Sequence, residues 1–295
     1  MAPIERQATA NPGVKISIMK NTSATIIQMC QGSIIEKIYM LSNLAYIFNI
    51  SKKSCFSPGE FLTLRVLNHI IMEIRPIAHI KTGFPEKFGI PRQSGLAEKL
   101  IGKIIFEKEF RVKEAFRGLE EFSHLWLIWE FSANRHSQWQ PTVRPPRMGG
   151  NAHMGVFATR SPYRPNPIGL SCVEIDEIDM DDPEGPVIYI KGADLMDGTP
   201  IYDIKPYIRY ADSRPEAVCG YVDGLAERKL HVKMSQALVA KVADDDVLAA
   251  MVEMLSLDPR PSYHNDPNRE YGLTYSGYNI KFIVNKGMLE VVDIE

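Results

Sequence analysis

From Met72 onward, short runs of β-branched and aromatic residues alternate with breaks rich in Pro and Gly: EIRPIAHI, FSHLWLIWEF, MGVFAT, IGLSCVEIDEI, GPVIYIKGA and IYDIKPYI. Runs of this length at this spacing predict an antiparallel barrel or sandwich. In Ile168 to Ile178 the apolar members Ile168, Leu170, Cys172 or Val173, Ile175 and Ile178 alternate imperfectly, as expected of a bent or bulged strand. No strand-like run alternates regularly with a long helical one, which disfavours a βαβ array. Past Asp212 the pattern turns helical. Asp244, Asp245 and Asp246 cap and complement the start of a helix with Val247, Leu248, Met251, Val252 and Leu255 on one face, and Pro259 stops it. Three further strands are expected at Tyr271 to Tyr275, Tyr278 to Val284 and Leu289 to Ile294, with Asn285, Lys286 and Gly287 turning the last hairpin.

Charge divides the chain further. Residues 1–71 carry a net charge of +4 and the remainder −6, within a total of −2 over 295 residues. The segment Ile26 to Ile50 is too polar, and too far from the start, for a signal-peptide core. Two readings stand open for residues 1–71: a small helical appendage, since Ile34, Ile35, Ile38, Tyr39 and Leu41 recur at helical spacing, or translation from an upstream start with Met72 as the true initiator. The expected division is therefore an extension over 1–71, a β-barrel domain over 72–211 and a smaller α+β domain over 212–295.

A composition of 45% hydrophobic and 24% charged residues is that of a soluble globular chain, and the near-neutral total excludes a uniformly basic nucleic-acid binder. The four cysteines, Cys30, Cys55, Cys172 and Cys219, include no CxxC pair, consistent with a reduced, cytoplasmic protein. No apolar run reaches the roughly 18 residues needed to cross a bilayer.

Candidate chemistry lies in three stretches. Between Phe131 and Val173 there is no Asp or Glu, while Arg135, Arg144, Arg147, Arg160, Arg164, His136 and His153 fall inside the window. Set among Pro and Gly in loops of defined shape, these arginines suit a carboxylate or phosphate partner, although a solvated face paired with the acids of Glu174 to Glu184 explains the composition equally well. The loop GFPEKFGIPRQ, Gly83 to Gln93, presents Lys87, Arg92 and Gln93. The run GADLMDGTPIYDIKPY, Gly192 to Tyr207, brings Asp194, Asp197 and Asp203 close in sequence, but no His accompanies them and the pattern suits a turn between strands better than a metal site. The phosphate loop GxxxxGKS/T, the GxSxG elbow, the HExxH helix and the GxGxxG fingerprint are all absent. His124 reads as a structural histidine and Cys172 as a small core residue, and Trp126 and Trp129, three apart, point to opposite faces of a strand.

The motifs PRQ, GLEEFSHLWLIWEF, PTVRPPRMGGNAHMG, GVFATRSPYRPNPIGLS, DLMDGTPIYDIKPY and LDPRPSY, in this order from about Met72 to the end, resemble the TsaA-like (TrmO) family of tRNA methyltransferases in its longer form. The resemblance implies a small single-sheet antiparallel β-barrel with an appended C-terminal α+β domain, working as a homodimer with S-adenosylmethionine. It also implies a substrate, threonylcarbamoyladenosine beside the anticodon of tRNA, methylated on its exocyclic nitrogen. By similarity the cofactor is held by Pro91, Arg92, Gln93, Ser132, Ala133, Arg160, Leu170, Lys191, Gly192, Ala193 and Asp194. Ser132-Ala133 departs from the His-Gln that family members can carry. Asp197, Tyr163 and Asp203 are the candidate bases, and Arg164, Asn166, Lys205, Arg260 and Tyr263 the candidate substrate contacts. No metal is expected. A non-catalytic module that binds RNA or an adenosine nucleotide is the rival reading, and a metal hydrolase using the three aspartates a third.

Overall fold

The computed structural model describes residues 73–134, 138–148, 152–224, 229–261 and 266–295. The expectations for residues 1–71, for Arg135 and His136, and for Tyr263 lie outside them. Residues 74–295 form one compact unit.

Six strands close an antiparallel barrel in the order β1-β2-β7-β6-β3-β8: β1 Ala78–Lys81, β2 Ile101–Phe106, β3 His124–Glu130, β6 Ile168–Asp179, β7 Val187–Lys191 and β8 Pro200–Pro206. Between β3 and β6 runs a two-stranded ribbon, β4 Thr142–Val143 and β5 Met154–Gly155. The barrel expectation is borne out. Ile80, Ile104, Leu125, Leu127, Val173, Ile188, Ile190 and Ile201 fill its interior, each at most 1% exposed. The run Ile101–Phe106, not singled out from its pattern, supplies β2, and only Met154–Gly155 of MGVFAT is strand, the next three residues, Val156–Ala158, forming a short 3-10 turn.

Strand β6 is bulged, as its imperfect alternation predicts, where its pairing with β7 slips between Ile175 and Glu177. Its facing is the reverse of a simple apolar-in pattern. Gly169, Ser171 and Val173 point inward, while Ile168 and Leu170 are exposed and Cys172 is only half-buried, so Cys172 is not a core residue. The reason is Trp129 on the neighbouring strand, whose indole fills the space that larger side chains at 169 and 171 would need. A Cβ built on Gly169 would lie 2.3 Å from that indole.

After the short helix α1, Arg209–Asp212, the chain builds a second sheet in the order β10-β11-β12-β9. Its strands are β9 His231–Lys233, β10 Tyr271–Tyr275, β11 Tyr278–Asn285 and β12 Met288–Ile294, and β9 joins β12 in parallel. Lys286 and Gly287, both with positive φ, make the β11–β12 turn. Helices α2, Gln236–Val239, and α3, Asp245–Ser256, complete this part. Asp244 caps α3 as expected, its carboxylate accepting from the Asp246 and Val247 amides at 2.8 and 3.2 Å. The buried face is Ala250, Met251, Met254 and Leu255; Val252, assigned to it from spacing, is exposed. Asp244→Ala should lower stability by about 1 kcal/mol, the usual worth of such a cap, as read from denaturant midpoints.

The barrel and the second sheet share a core through the β1–β2 connection. Phe84, Ala97 and Leu100 pack with Leu273, Tyr275, Met254 and Leu255. The Ser276 amide donates to the Gly83 carbonyl at 2.8 Å, and a Cβ on Gly83 would strike Tyr275 at 2.5 Å.

Candidate functional site

Antiparallel pairing all round the barrel fixes which connections share an end. The C-termini of β1, β3 and β7 and the N-termini of β2, β6 and β8 meet at one end. The connections 82–100, 131–167 and 192–199 therefore leave from that end, and these are the loops in which the sequence placed its candidate chemistry.

At their junction stands Asp194, half-buried. The Ser171 hydroxyl donates to its Oδ1 at 2.6 Å and itself accepts the Trp129 indole N–H at 2.9 Å, so the single hydroxyl proton of Ser171 is committed toward the carboxylate. The Ser94 backbone amide and the Arg160 guanidinium lie near enough to favour the charged form of Asp194. Burial outweighs these contacts and pushes the Asp194 carboxyl above the ordinary aspartate range. Arg160 donates to the side-chain oxygen of Gln93, whose amide nitrogen bonds back to the Arg92 carbonyl. The structure thus brings Arg92, Gln93, Arg160 and Asp194 together.

Two glycines allow the loops to meet. Gly192, with φ +73°, contacts Gly95 so closely that a Cβ would lie 3.0 Å from the Gly95 backbone, and the Gly95 amide donates to the Gly192 carbonyl at 2.9 Å. The next residue, Ala193, is buried, as is Pro91 on the other loop. The Lys191 ammonium pairs with Asp176 on β6 rather than with Asp194. Lys87 ties the first loop to the turn after β3 by donating to the Ala133 carbonyl at 3.2 Å and to Asn134. The Ser132-Ala133 turn is therefore tied to the first loop through the Ala133 carbonyl rather than through a side chain of either residue.

Other candidates stand elsewhere. Leu170 projects from β6 on the face opposite Ser171 and is 55% exposed, so its side chain does not meet Asp194. The Asp197 carboxylate accepts the Thr82 amide at 3.0 Å and so braces the turn before β8. Asp203 and Lys205 pair with each other at 2.9 Å on the outer face of β8, opposite Ile128 and Trp126, whereas Ser171 and Asp194 meet on the inner side. Asp194, Asp197 and Asp203 diverge to three different partners, and among the described residues no cluster of three metal-ligating side chains occurs. Arg260 is gripped by Asp258 through two bonds of 2.8 and 2.9 Å rather than presented to a substrate, while its carbonyl accepts from Arg92 at 3.2 Å. Arg164 donates to the Val156 and Thr159 carbonyls at 3.3 and 2.7 Å, and Tyr163 and Asn166 are exposed on the same loop.

Ser94, Ser171 and the indole N–H of Trp129 were not anticipated. The signal available was local: small residues at 169 and 171, alternating on a strand, mark a face that must accommodate something large.

Fold and site together define a small antiparallel barrel with a polar, two-signed cluster of side chains assembled from the loops over one end. The tRNA-methyltransferase O N-terminal domain model matches residues 79–213 and the TrmO C-terminal domain model residues 227–295. The chain is 36% identical over 230 residues to the tRNA (adenine(37)-N6)-methyltransferase of Escherichia coli, covering 76% of this chain and 97% of that one. It is 40% identical to the protein of the same name from Eikenella corrodens, over 57% of this chain and 93% of that one. A crystal structure of TrmO from Pseudomonas aeruginosa superposes with a TM-score of 0.64 at 30% identity, covering 78% of this chain and 99% of that one. The chain belongs to the TrmO family.

Proposed function

We propose that this protein is an S-adenosylmethionine-dependent methyltransferase acting on the exocyclic nitrogen of threonylcarbamoyladenosine at position 37 of tRNA. The observation that carries this reading is the convergence of Arg160, Asp194 and the Arg92–Ser94 backbone over one end of the barrel in a member of this family. The donor set fits the cofactor. Arg160 suits its carboxylate, and Asp194 suits its ribose hydroxyls or ammonium group. The tight Gly95–Gly192 approach leaves only backbone between the two loops that embrace it. When bound, the cofactor supplies a methyl group on a positively charged sulfur.

The protein's own contribution is positioning. Arg92, anchored to the Arg260 carbonyl, and Lys87, anchored to the turn after β3, hold the loops at fixed separation. The acceptor nitrogen is a poor nucleophile, its lone pair shared with the purine and a carbonyl, so its proton must leave as the new bond forms. Tyr163, exposed on the loop that carries Arg160, is the candidate acceptor of that proton in its phenolate form, since the Asp197 carboxylate is engaged by the Thr82 amide.

The proposal includes a homodimer in the cytoplasm. Its support is the outer face of β3 and β6, where Trp126, Ile128, Ile168, Leu170 and Cys172 lie side by side in paired register and leave apolar surface uncovered. The division into a barrel domain over 72–211 that binds cofactor and a C-terminal domain over 212–295 that braces its loops belongs to the same reading.

The test is methyl transfer from labelled S-adenosylmethionine to tRNA from a strain lacking this protein, with mass analysis of the nucleoside at position 37. Transfer dependent on a pre-existing threonylcarbamoyl group is expected; cofactor binding without transfer would favour the binding-module reading. Arg160→Ala should weaken cofactor binding by roughly 1.5–3 kcal/mol in calorimetry, the worth of one charge-assisted contact. Unchanged affinity would remove Arg160 from the cofactor site.

A further inference from the structure

The connection from β3 to β6 carries more than Arg160. Its parts are locked into one body: the Gln140 amide donates to the Tyr163 carbonyl at 3.0 Å, the Val156 amide to the Pro141 carbonyl at 3.0 Å, and β4 pairs with β5. On this body Phe157 is 74% exposed, Trp139 51% and Tyr163 41%. The Arg164 guanidinium lies 5.9 Å from the Phe157 ring centre. A folded loop that spends backbone hydrogen bonds to hold three aromatic rings in water has surface to offer a partner.

The charges beside those rings are of one sign. Arg144 donates to the His153 ring at 3.1 Å, Arg160 to the Gln93 amide oxygen, and Arg164 to backbone carbonyls. The acceptors of Arg144 and Arg164 are not carboxylates, and no Asp or Glu lies between Phe131 and Val173, so the charge of these two arginines is oriented without being neutralised by the loop itself. Arg160 also faces Asp194, which places this surface at the rim of the cofactor site.

We propose that Trp139 and Phe157, flanked by Arg144 and Arg164, form the platform on which unpaired bases of the substrate's anticodon loop stack while the arginines follow its phosphates. This rests on the tRNA reading above and adds the surface that grips the RNA. Aromatic faces accept any base, and cations beside them meet the backbone, which is the arrangement that binds single-stranded RNA. A second copy of the chain fits the surface less well. A two-fold contact would set this acid-free patch against itself and oppose arginine with arginine.

The experiment measures binding of an anticodon stem-loop RNA by fluorescence anisotropy for the parent, Trp139→Ala, Phe157→Ala and Arg144→Gln, with cofactor affinity by calorimetry and molecular mass by sedimentation on the same samples. Each aromatic variant should raise the RNA Kd about 5- to 150-fold, the range expected for one lost base stack. Arg144→Gln should reduce the slope of log affinity against log salt by about 0.7. Cofactor affinity and mass should match the parent in all three, which also shows that they are folded. RNA affinity unchanged in both aromatic variants, or a fall in mass to the monomer, would overturn the platform, the latter by making the patch an interface between copies. If the parent itself neither binds nor methylates tRNA, the proposed function fails with it, an outcome distinct from loss confined to the variants.

Discussion

Gly169→Val should leave a protein that melts roughly 6–12 °C below the parent and no longer binds S-adenosylmethionine measurably. A Cβ at this position meets Cε2 of Trp129 at 2.3 Å and two further indole carbons within 2.7 Å, distances that real side chains do not adopt. The indole has nowhere to yield. It is 7% exposed, packs edge-on against Phe131 with ring centres 4.4 Å apart, and occupies a barrel interior already filled by Leu127 and Ile201. Overpacking of this kind costs on the order of 3 kcal/mol, which accounts for the fall in Tm. The loss of binding has a separate cause. Moving the indole takes its N–H from Ser171, whose hydroxyl is then free to turn away from Asp194. Trp129→Phe separates the two effects, since it keeps most of the ring volume and removes only the N–H. It should lose cofactor affinity with a much smaller change in Tm. A Gly169→Val protein with parental Tm and binding would show that the indole is not fixed where the structure places it.

This glycine also shows what the sequence could and could not reveal. Short strands between Pro and Gly, a bulge in β6 and a helix begun by Asp244 all follow from local rules, because each depends on residues within a few positions of one another. The facing of β6 does not. Whether Ile168, Leu170 and Cys172 or Gly169, Ser171 and Val173 point inward is decided by Trp129, about 40 positions away, and the more apolar set proved to be outside. The same limit applies to the site. The loops that hold Gln93, Arg160 and Asp194 were legible from their arginines and prolines and from the family resemblance, and antiparallel pairing puts all three over one barrel end. Which charged groups remain available there was not legible. Lys205 is spent on Asp203, Arg260 on Asp258 and Lys191 on Asp176, pairings set by strand register and by turn geometry that sequence spacing does not display.

Asp194 is different, because its burial sets binding and stability against each other. Its carboxyl is pushed above the ordinary range by desolvation, so between the unfolded and folded pKa values the folded chain holds the proton more tightly. Stability must then fall as pH rises through that window, because the unfolded state has fewer bound protons there than the folded one. If the cofactor is gripped by the charged form, its affinity must move the opposite way, rising over the same window as the carboxylate appears. Asp194→Asn removes both dependences while keeping the shape. The variant should be at least as stable as the parent at neutral pH, since it no longer buries a charge, yet bind S-adenosylmethionine about 100-fold more weakly, roughly 3 kcal/mol, because a charge-assisted contact becomes a neutral one. Calorimetric titrations from acid to neutral pH, paired with thermal melts of the unliganded protein at each pH, read both quantities. Parallel rather than opposed trends, or an Asn variant that binds like the parent, would show that Asp194 is a structural partner of Ser171 and not a cofactor ligand. Opposed trends would identify the raised carboxyl as a cost in folding that is recovered only when the site is filled.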